Sequence, residues 1–304
     1  MSKTILVLMG GISKERKISL LSGKACVKAL QKKKYKVKIL DPKGNFINEI
    51  RKIKPAVVFN ALHGRFGEDG YVQSILEAEK IKYTHSGVLA SSIAIDKEIS
   101  KKIFINKKIN TPKFFIYKNN KNPNIHYFQK QLKISFPIVI KPINEGSSID
   151  VHICTKKNLN KNLKKLKKYN QILVEQYIPG REIQVAVMNN KALGAIELKP
   201  RRKFYDYYAK YSNKAKTKHI MPAPLEQKKY NEVLSIAKKA HLSLGCKGIT
   251  RSDFRYNNKK FFLLELNTQP GMTNLSLVPE IAAYKNIKFE DLVEWIVKDA
   301  SCNR

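Results

Sequence analysis

The chain of 304 residues carries 59 basic against 24 acidic side chains, a formal net charge of +35, and 43% apolar residues; it is long enough for two or three packed units and apolar enough to fold. No apolar run approaches the ~20 residues of a membrane span. The first run, Ile5 to Met9, is too short for a signal peptide. Cys26, Cys154, Cys246 and Cys302 show no metal spacing, so a soluble cytoplasmic protein with reduced thiols is expected.

The basic residues comprise nine arginines and 50 lysines spread along the whole chain. Arginine is the preferred residue for bidentate phosphate and base contacts, so this excess reads as a solvated surface, with no nucleic-acid partner expected.

In chain order, "TILVLM" reads as a buried strand, Gly10-Gly11 as a turn, and Ser13 as the cap of a helix whose stripe is Ile18, Leu21, Ala25 and Ala29. "YKVKIL" and "AVVFNAL" supply two further strands, the second ending in "HGRFGEDG". A helix from about Tyr71 to Glu79 and a short strand near Tyr83 follow. Such alternation predicts a parallel α/β sheet with ligands at the strand C-terminal ends.

After about Gly87 the pattern changes. One helix is predicted from roughly Ser91 to Lys108, stopped by Thr111-Pro112. "FFIY" and "FPIVIKP" read as strands flanking a polar loop, "KNNKNPN". Leu159, Leu163 and Leu166 mark an amphipathic helix, and "QILVEQYI", "IQVAVMNN" and "KALGAIELK" read as strands. A Tyr- and Lys-rich loop from about Lys203 to Lys218 precedes a helix from about Leu225 to Leu244. Boundaries near residues 95 and 178 divide the chain into 1–95, 96–178 and 179–304.

The last strand pair carries chemistry. In "LLELNTQPGMTN", Glu265 and Asn267 share one strand face; in "TRSDF", Arg251 and Asp253 share another. A three-residue loop, Asn257 to Lys259, would pair Tyr256 with Lys260, setting Arg251 opposite Glu265 and Asp253 opposite Leu263, with all four polar side chains on one face. Two carboxylates and an amide suit a hard cation such as magnesium working with substrate phosphates. A salt bridge from Arg251 to Asp253 or Glu265 is the structural alternative.

A second constellation is "VIKPINEGSS". Lys141 ends an apolar strand, and the backbone N–H groups of Gly146-Ser147-Ser148 can cradle phosphate. Lys97, early in its helix, is a second candidate point charge. Glu175 in "ILVEQYI" offers an acid and free backbone groups at a strand edge, suited to a nucleobase.

Taken in order, "GGISKERKISLLSG", "ALHGRFGEDG", "IVIKPINEGSS", "FYDYYAKY", "GCKGITRSDF" and "LELNTQPGMTNLSLVP" resemble the D-alanine–D-alanine ligase family from about residue 4 to 297. The resemblance implies a mixed α/β (α+β) ATP-grasp fold: an N-terminal parallel α/β domain on the substrate side, a central small domain and a C-terminal catalytic domain. It implies transfer of the ATP γ-phosphoryl group to one D-alanine carboxylate, then attack by the amine of a second D-alanine, for peptidoglycan precursor synthesis. Catalysis of this kind is positioning and charge stabilisation.

By the same resemblance, Asp253, Glu265 and Asn267 hold two Mg²⁺ ions, with Mn²⁺ as a substitute. Lys97, Lys141 and Lys210 lie near the ATP phosphates, Glu175 reads the adenine amino group, Ile178 belongs to the ATP site, and Glu182 contacts ribose. Arg251 and the Gly271 N–H hold the tetrahedral intermediate, Gly271 being small to let its backbone approach. Glu15 takes the first D-alanine's ammonium, forms a hydrogen-bond set with Ser147 and Tyr211, and has His63 nearby. Ser276 and the backbone at Leu277 hold the second carboxylate. The family implies a homodimer with no membrane partner.

Three positions depart from the family pattern: Tyr208 for Glu, Gln269 for Ser or Leu, and Ile149-Asp150 for Val-Gly. A D-alanine–D-lactate ligase and another ATP-grasp carboxylate–amine ligase are the rival readings; Tyr211 in "AKY" favours an amine nucleophile. The loop from Lys203 to Lys218 is expected to close over the site when ATP and substrate bind.

Overall fold

"TILVL", "KVKIL" and "VVFN" form β1 (Thr4–Leu8), β2 (Lys36–Leu40) and β3 (Val57–Asn60), a parallel sheet in the order β2-β1-β3. The computed structural model of the protein describes residues 4–119, 125–133, 135–200, 217–273 and 275–304. β1 and β3 are almost wholly buried, which is why both read as unbroken apolar runs. Their crossovers carry α1 (Arg16–Lys32), α2 (Ile47–Ile53) and α3 (Tyr71–Ala78). The strand expected near Tyr83 is a single-residue bridge between Val58 and Ser301.

The helix expected from Ser91 to Lys108 is two: α4 (Val88–Ile95) and α5 (Lys97–Asn106). Asp96 is extended between them, and its carboxylate accepts from the backbone N–H groups of Glu98 and Ile99, capping α5. Lys97 thereby occupies the first helical position.

A second, antiparallel sheet runs β4-β7-β5-β6, where β4 is Phe114–Lys118, β5 Ile138–Pro142, β6 His152–Cys154 and β7 Gln171–Gln176. α6 (Ile125–Leu132) and α7 (Leu159–Lys165) cover it, and Phe128, Leu159 and Leu166 share its core with Tyr117, Ile140 and Val174. The central position of β7 corrects one expectation. Glu175 faces Phe114 on one side and Val139 on the other, so it is not at a strand edge.

The third sheet, also antiparallel, runs β10-β9-β8-β11-β12 (β8 Arg181–Met188, β9 Lys191–Lys199, β10 Lys218–Ile220, β11 Ile249–Tyr256, β12 Phe261–Asn267). On one face α8 (Gln227–Ser243) buries Val233, Ala237 and Ala240 against Val185, Phe254 and Leu263, with Phe104 of α5 in the same core. On the other, α9 (Leu277–Tyr284) and α10 (Phe289–Lys298) bury Val278, Ile281 and Ile296 in a core shared with Ile5, Val7 and Leu30 of the parallel sheet and α1.

The expected β11–β12 register is wrong in detail. Tyr256 pairs with Phe261 across a longer loop, and the register shifts between Asp253 and Phe254. Phe254 opposes Leu263, whereas Asp253 opposes Glu265 and Arg251 opposes Asn267. Leu264 is the extra residue of a β-bulge. The longer loop alone would have set Asp253 against Leu264; the bulge restores the parity that keeps Arg251, Asp253, Glu265 and Asn267 on one face.

Candidate active site

Two adjoining pockets meet at the bulge. The first is lined by Glu15, His63, Gly146, Ser147, Arg251, Asn267 and Gly271, among others. The second is lined by Lys141, Ser148, Glu175, Ile178, Glu182, Asp253 and Leu264, among others. Lys97, Glu145 and Glu265 line both. The bulge makes this possible: Leu264 and Glu265 are consecutive, yet both line the second pocket, while Leu263 goes to the core behind.

In the first pocket, the Ser147 hydroxyl donates to Glu15 Oε2. Ser147 and Ser148 lie at φ 49° and 59°, in the left-handed region. Runs of backbone in that conformation turn N–H groups toward a common centre, which suits an anion. Gly146 leaves room for the Glu15 carboxylate: a Cβ there would come within 2.7 Å of Glu15 Oε1 and displace it. Glu15 precedes the first turn of α1 and is buried. His63 is buried too, its Nδ1 3.0 Å from Glu68 and its Nε2 3.1 Å from Ser22 Oγ, which also accepts from the Met272 N–H. Burial alone would lower the His63 pKa, but the Glu68 hydrogen bond and the charges of Glu68 and Glu15 outweigh it and raise it above the ordinary histidine value.

Behind this pocket, a Cβ on Gly271 would come within 2.9 Å of Ser276 Oγ, and Ser276 is the residue that precedes α9, its hydroxyl turned to Thr273 and not to the helix N–H groups. Thr273 donates its N–H to that same hydroxyl at 2.9 Å. Leu277 is buried in the core shared with α1. Ser276 therefore stands directly behind Gly271, and neither it nor Leu277 belongs to either pocket lining.

In the second pocket, Lys97 donates to the Glu145 carbonyl at 2.7 Å and lies 3.6 Å from Glu265. Burial depresses its pKa, against the pull of Glu265 and with the help of Lys141. Lys141 stands 2.6 Å from one oxygen of Glu175, and Lys101 2.9 Å from the other. Lys101 is fully buried, which pushes its pKa down to about 8. Glu182 lies 3.5 Å from Arg255 Nη1, and Arg255 also donates to the carbonyls of Ile178 and Gly180. Sequence reasoning missed Lys101, Arg255 and Glu68. The first was one lysine among fifty; the i, i+4 spacing from Lys97 within one helix was the available signal.

At the junction, Arg251 grips Asp253 with two bonds of 2.7 and 3.0 Å, the salt bridge weighed as the alternative to metal binding. The donor set nevertheless fits a hard divalent cation. Asp253 and Glu265 are cross-strand neighbours, and Asn267 adds an amide oxygen on the same face, bonded at 2.7 Å by the Gln269 N–H. Three oxygen-bearing side chains are too few to enclose an ion, as expected of magnesium sites completed by substrate phosphates and water.

Two departures have structural roles. Gln269 is buried and donates to the Leu62 carbonyl, tying the loop after β12 to that after β3. Asp150, at φ 56°, pairs with Lys168 at 2.7 Å and accepts from the Tyr169 hydroxyl at 2.7 Å, anchoring the far end of the Ser147 loop. Tyr208, Lys210 and Tyr211 lie outside the described residues, as does nearly all of the loop expected to close over the site.

The model of the family described as D-ala D-ala ligase C-terminus matches residues 103–298. The D-alanine–D-alanine ligase of Pelagibacter ubique strain HTCC1062 is 63% identical over the full length of both chains. The chain belongs to the D-alanine–D-alanine ligase family. The ligase of Wolbachia pipientis wMel is 46% identical, covering 99% of this chain and 95% of its own. Among solved structures, that of the D-alanine–D-alanine ligase from Bacillus anthracis complexed with ATP superposes with a TM-score of 0.85 at 28% identity, covering 98% of this chain and 97% of that one. The fold is ATP-grasp. No helix among the described residues is long and apolar enough to cross a membrane.

Proposed function

We propose that this D-alanine–D-alanine ligase family member joins two D-alanine molecules, with conversion of ATP to ADP and phosphate, in peptidoglycan precursor synthesis. The observation that carries this reading is the meeting at Glu265 of a polar pocket and a mainly apolar one with charged groups in its lining. One has an ammonium acceptor in Glu15 and a cation in Arg251; the other has two lysines and a buried acid in Glu175.

The chemistry follows from the reactants. A free carboxylate does not accept an amine because its oxygen leaves poorly. The carboxylate oxygen of the first D-alanine attacks the γ-phosphorus, the bond to the β-phosphate oxygen breaks, and ADP leaves. The unprotonated amine of the second D-alanine then attacks the acyl carbon; the tetrahedral intermediate collapses, phosphate leaves with the bonding electrons, and the amine proton is lost. Glu15 holds the first ammonium, with Ser147 fixing its carboxylate. Arg251 and the Gly271 N–H stabilise the oxyanion, and Ser276 with the Leu277 backbone takes the second carboxylate. Lys97, Lys141 and Lys210 gather the phosphates; Glu175, Ile178 and Glu182 hold the nucleoside. Asp253, Glu265 and Asn267 would hold Mg²⁺ ions, or Mn²⁺, which neutralise phosphate charge when bound. Tyr211 completes the set with Glu15 and Ser147 and favours an amine over a hydroxyl nucleophile.

This reading makes residues 1–95, 96–178 and 179–304 the substrate-side, central and catalytic units of a cytoplasmic homodimer; light scattering tests the dimer. Phosphate release from ATP, with D-alanine, L-alanine and D-lactate offered in turn, tests the reaction. D-Alanine should give the largest stimulation, and equal rates with L-alanine would overturn the assignment. Tyr211→Phe should raise the ratio of depsipeptide to dipeptide when both acceptors are present, as read by mass spectrometry.

A further inference from the structure

Lys101 is buried completely, an unusual place for a lysine unless its charge has a task. Its ammonium stands 2.9 Å from Glu175 Oε2, donates to Thr111 Oγ1 at 2.7 Å, and lies over the Phe114 ring at 5.8 Å. Phe114 is the strand neighbour of Glu175, so helix α5 and strand β4 together hold the Lys101 ammonium beside the carboxylate that β7 carries. Lys141 holds the other oxygen at 2.6 Å. Yet Glu175 Oε2 is buried and, among the described residues, accepts no well-aligned hydrogen bond. The Lys101 ammonium attracts it without saturating it. A buried carboxylate oxygen in that state, lining the second pocket, calls for a donor from a ligand.

The donor or acceptor character of Glu175 decides which purine fits. A carboxylate accepts from the 6-amino group of adenine and repels the 6-oxo group of hypoxanthine or guanine. A neutral carboxyl can donate to that oxo group and loses the discrimination. We propose that Lys101 is a positioning residue for nucleotide specificity: it keeps Glu175 turned and ionised, so that the pocket selects a 6-amino over a 6-oxo purine. This rests on the reading of the second pocket as the nucleotide site.

The groups facing Glu175 are Lys97 and Lys101 from α5, Lys141 from β5 and, beyond them, Glu265 from β12. Burial works against the carboxylate, and Lys101 and Lys141 outweigh it, holding its pKa below the ordinary value. Removing Lys101 leaves burial opposed by Lys141 and, more weakly, Lys97, which moves protonation up toward the assay range.

The test compares kcat/KM for ATP and ITP at pH 6 and pH 8 in the full-length enzyme. Wild type should show the same ATP-over-ITP ratio at both pH values; a wild-type ratio that already collapses at pH 6 overturns the proposal. Lys101→Met should lower the ratio about tenfold at pH 6 and less at pH 8, since a lost neighbouring charge shifts a buried acid by a unit or more. Glu175→Gln should relax the ratio equally at both. If Lys101→Met does not fold, Lys101→Gln, which keeps a donor and removes the charge, is read in the same way. Unchanged ratios in the Lys101 variants, with Glu175→Gln relaxed, would make Lys101 a packing residue and end the proposal. An unchanged ratio in Glu175→Gln would instead remove the nucleotide reading of the pocket itself.

Discussion

At the scale of single residues, the site is a set of buried charges that are stable only in combination. Asp253 and Glu265 are cross-strand neighbours, and like charges so placed repel unless a cation intervenes. Arg251 supplies such a cation through its ion pair with Asp253. Asp253→Asn or Glu265→Gln should therefore leave the fold intact but abolish most activity at ordinary magnesium levels; near-normal rates for both at limiting magnesium would rule out the metal assignment. Glu68 offers a pH test. The folded-state pKa of His63 is raised, so the stabilisation from its ion pair is complete below the unfolded value of about 6.5 and fades as pH rises through the folded value. The loss of stability in Glu68→Gln, measured by urea unfolding, should be larger at pH 6 than at pH 9. An equal loss at both would mean that His63 is neutral throughout. Glu15, Lys97, Lys141 and the Arg251–Asn267 face were legible in the sequence because short motifs carry them. Lys101 and Arg255 were not, because what distinguishes a buried lysine from a solvated one is the strand packed over it.

At the scale of elements, the long strands declared themselves as apolar runs and the 17-residue α1 by a stripe whose Ile18 and Ala29 are buried. What failed was short or punctuated. α2 has seven residues and α6 eight, under two or three turns of signal each. Asp96 divides an apolar pattern that continues across the break. The hairpin register failed because it depends on one loop residue and one bulge residue, and two parity errors cancelled for the face while leaving the pairing wrong. That bulge is functional geometry: it gives Leu264 to the second pocket without removing Glu265 from it. Leu264→Ala removes apolar contact from the nucleoside side only. It should raise KM for ATP about tenfold, near 1.4 kcal/mol and within the burial value of a leucine side chain, with kcat and KM for D-alanine little changed. Steady-state kinetics in both substrates checks this; a fall in kcat alone would place Leu264 behind the metal ligands instead of beneath the base.

At the scale of the whole molecule, the parallel sheet and the five-stranded sheet share one core, whereas the four-stranded sheet has its own and meets the others through polar contacts. Lys14 to Glu145 at 2.8 Å and Ser147 to Glu15 span that junction, so the cleft is held by interactions that substrates can replace. The net charge of +35 belongs to the same scale. With 24 acids against 59 bases, pairing cannot neutralise the surface, and many acids are already engaged in ion pairs. Added salt screens both the pairs and the excess. An exposed pair contributes roughly 0–1 kcal/mol, whereas the unpaired excess repels across the surface over a Debye length of about 10 Å at 0.1 M salt. Repulsion should dominate, so raising NaCl from 10 to 200 mM should raise the melting temperature, and choline chloride should do the same. A melting temperature that falls with both salts would show that the lysines are held by attractive networks, not solvated singly. Retention of a random DNA duplex at 200 mM NaCl would separately show that the charge forms a binding face, against the even spread of lysines along the chain.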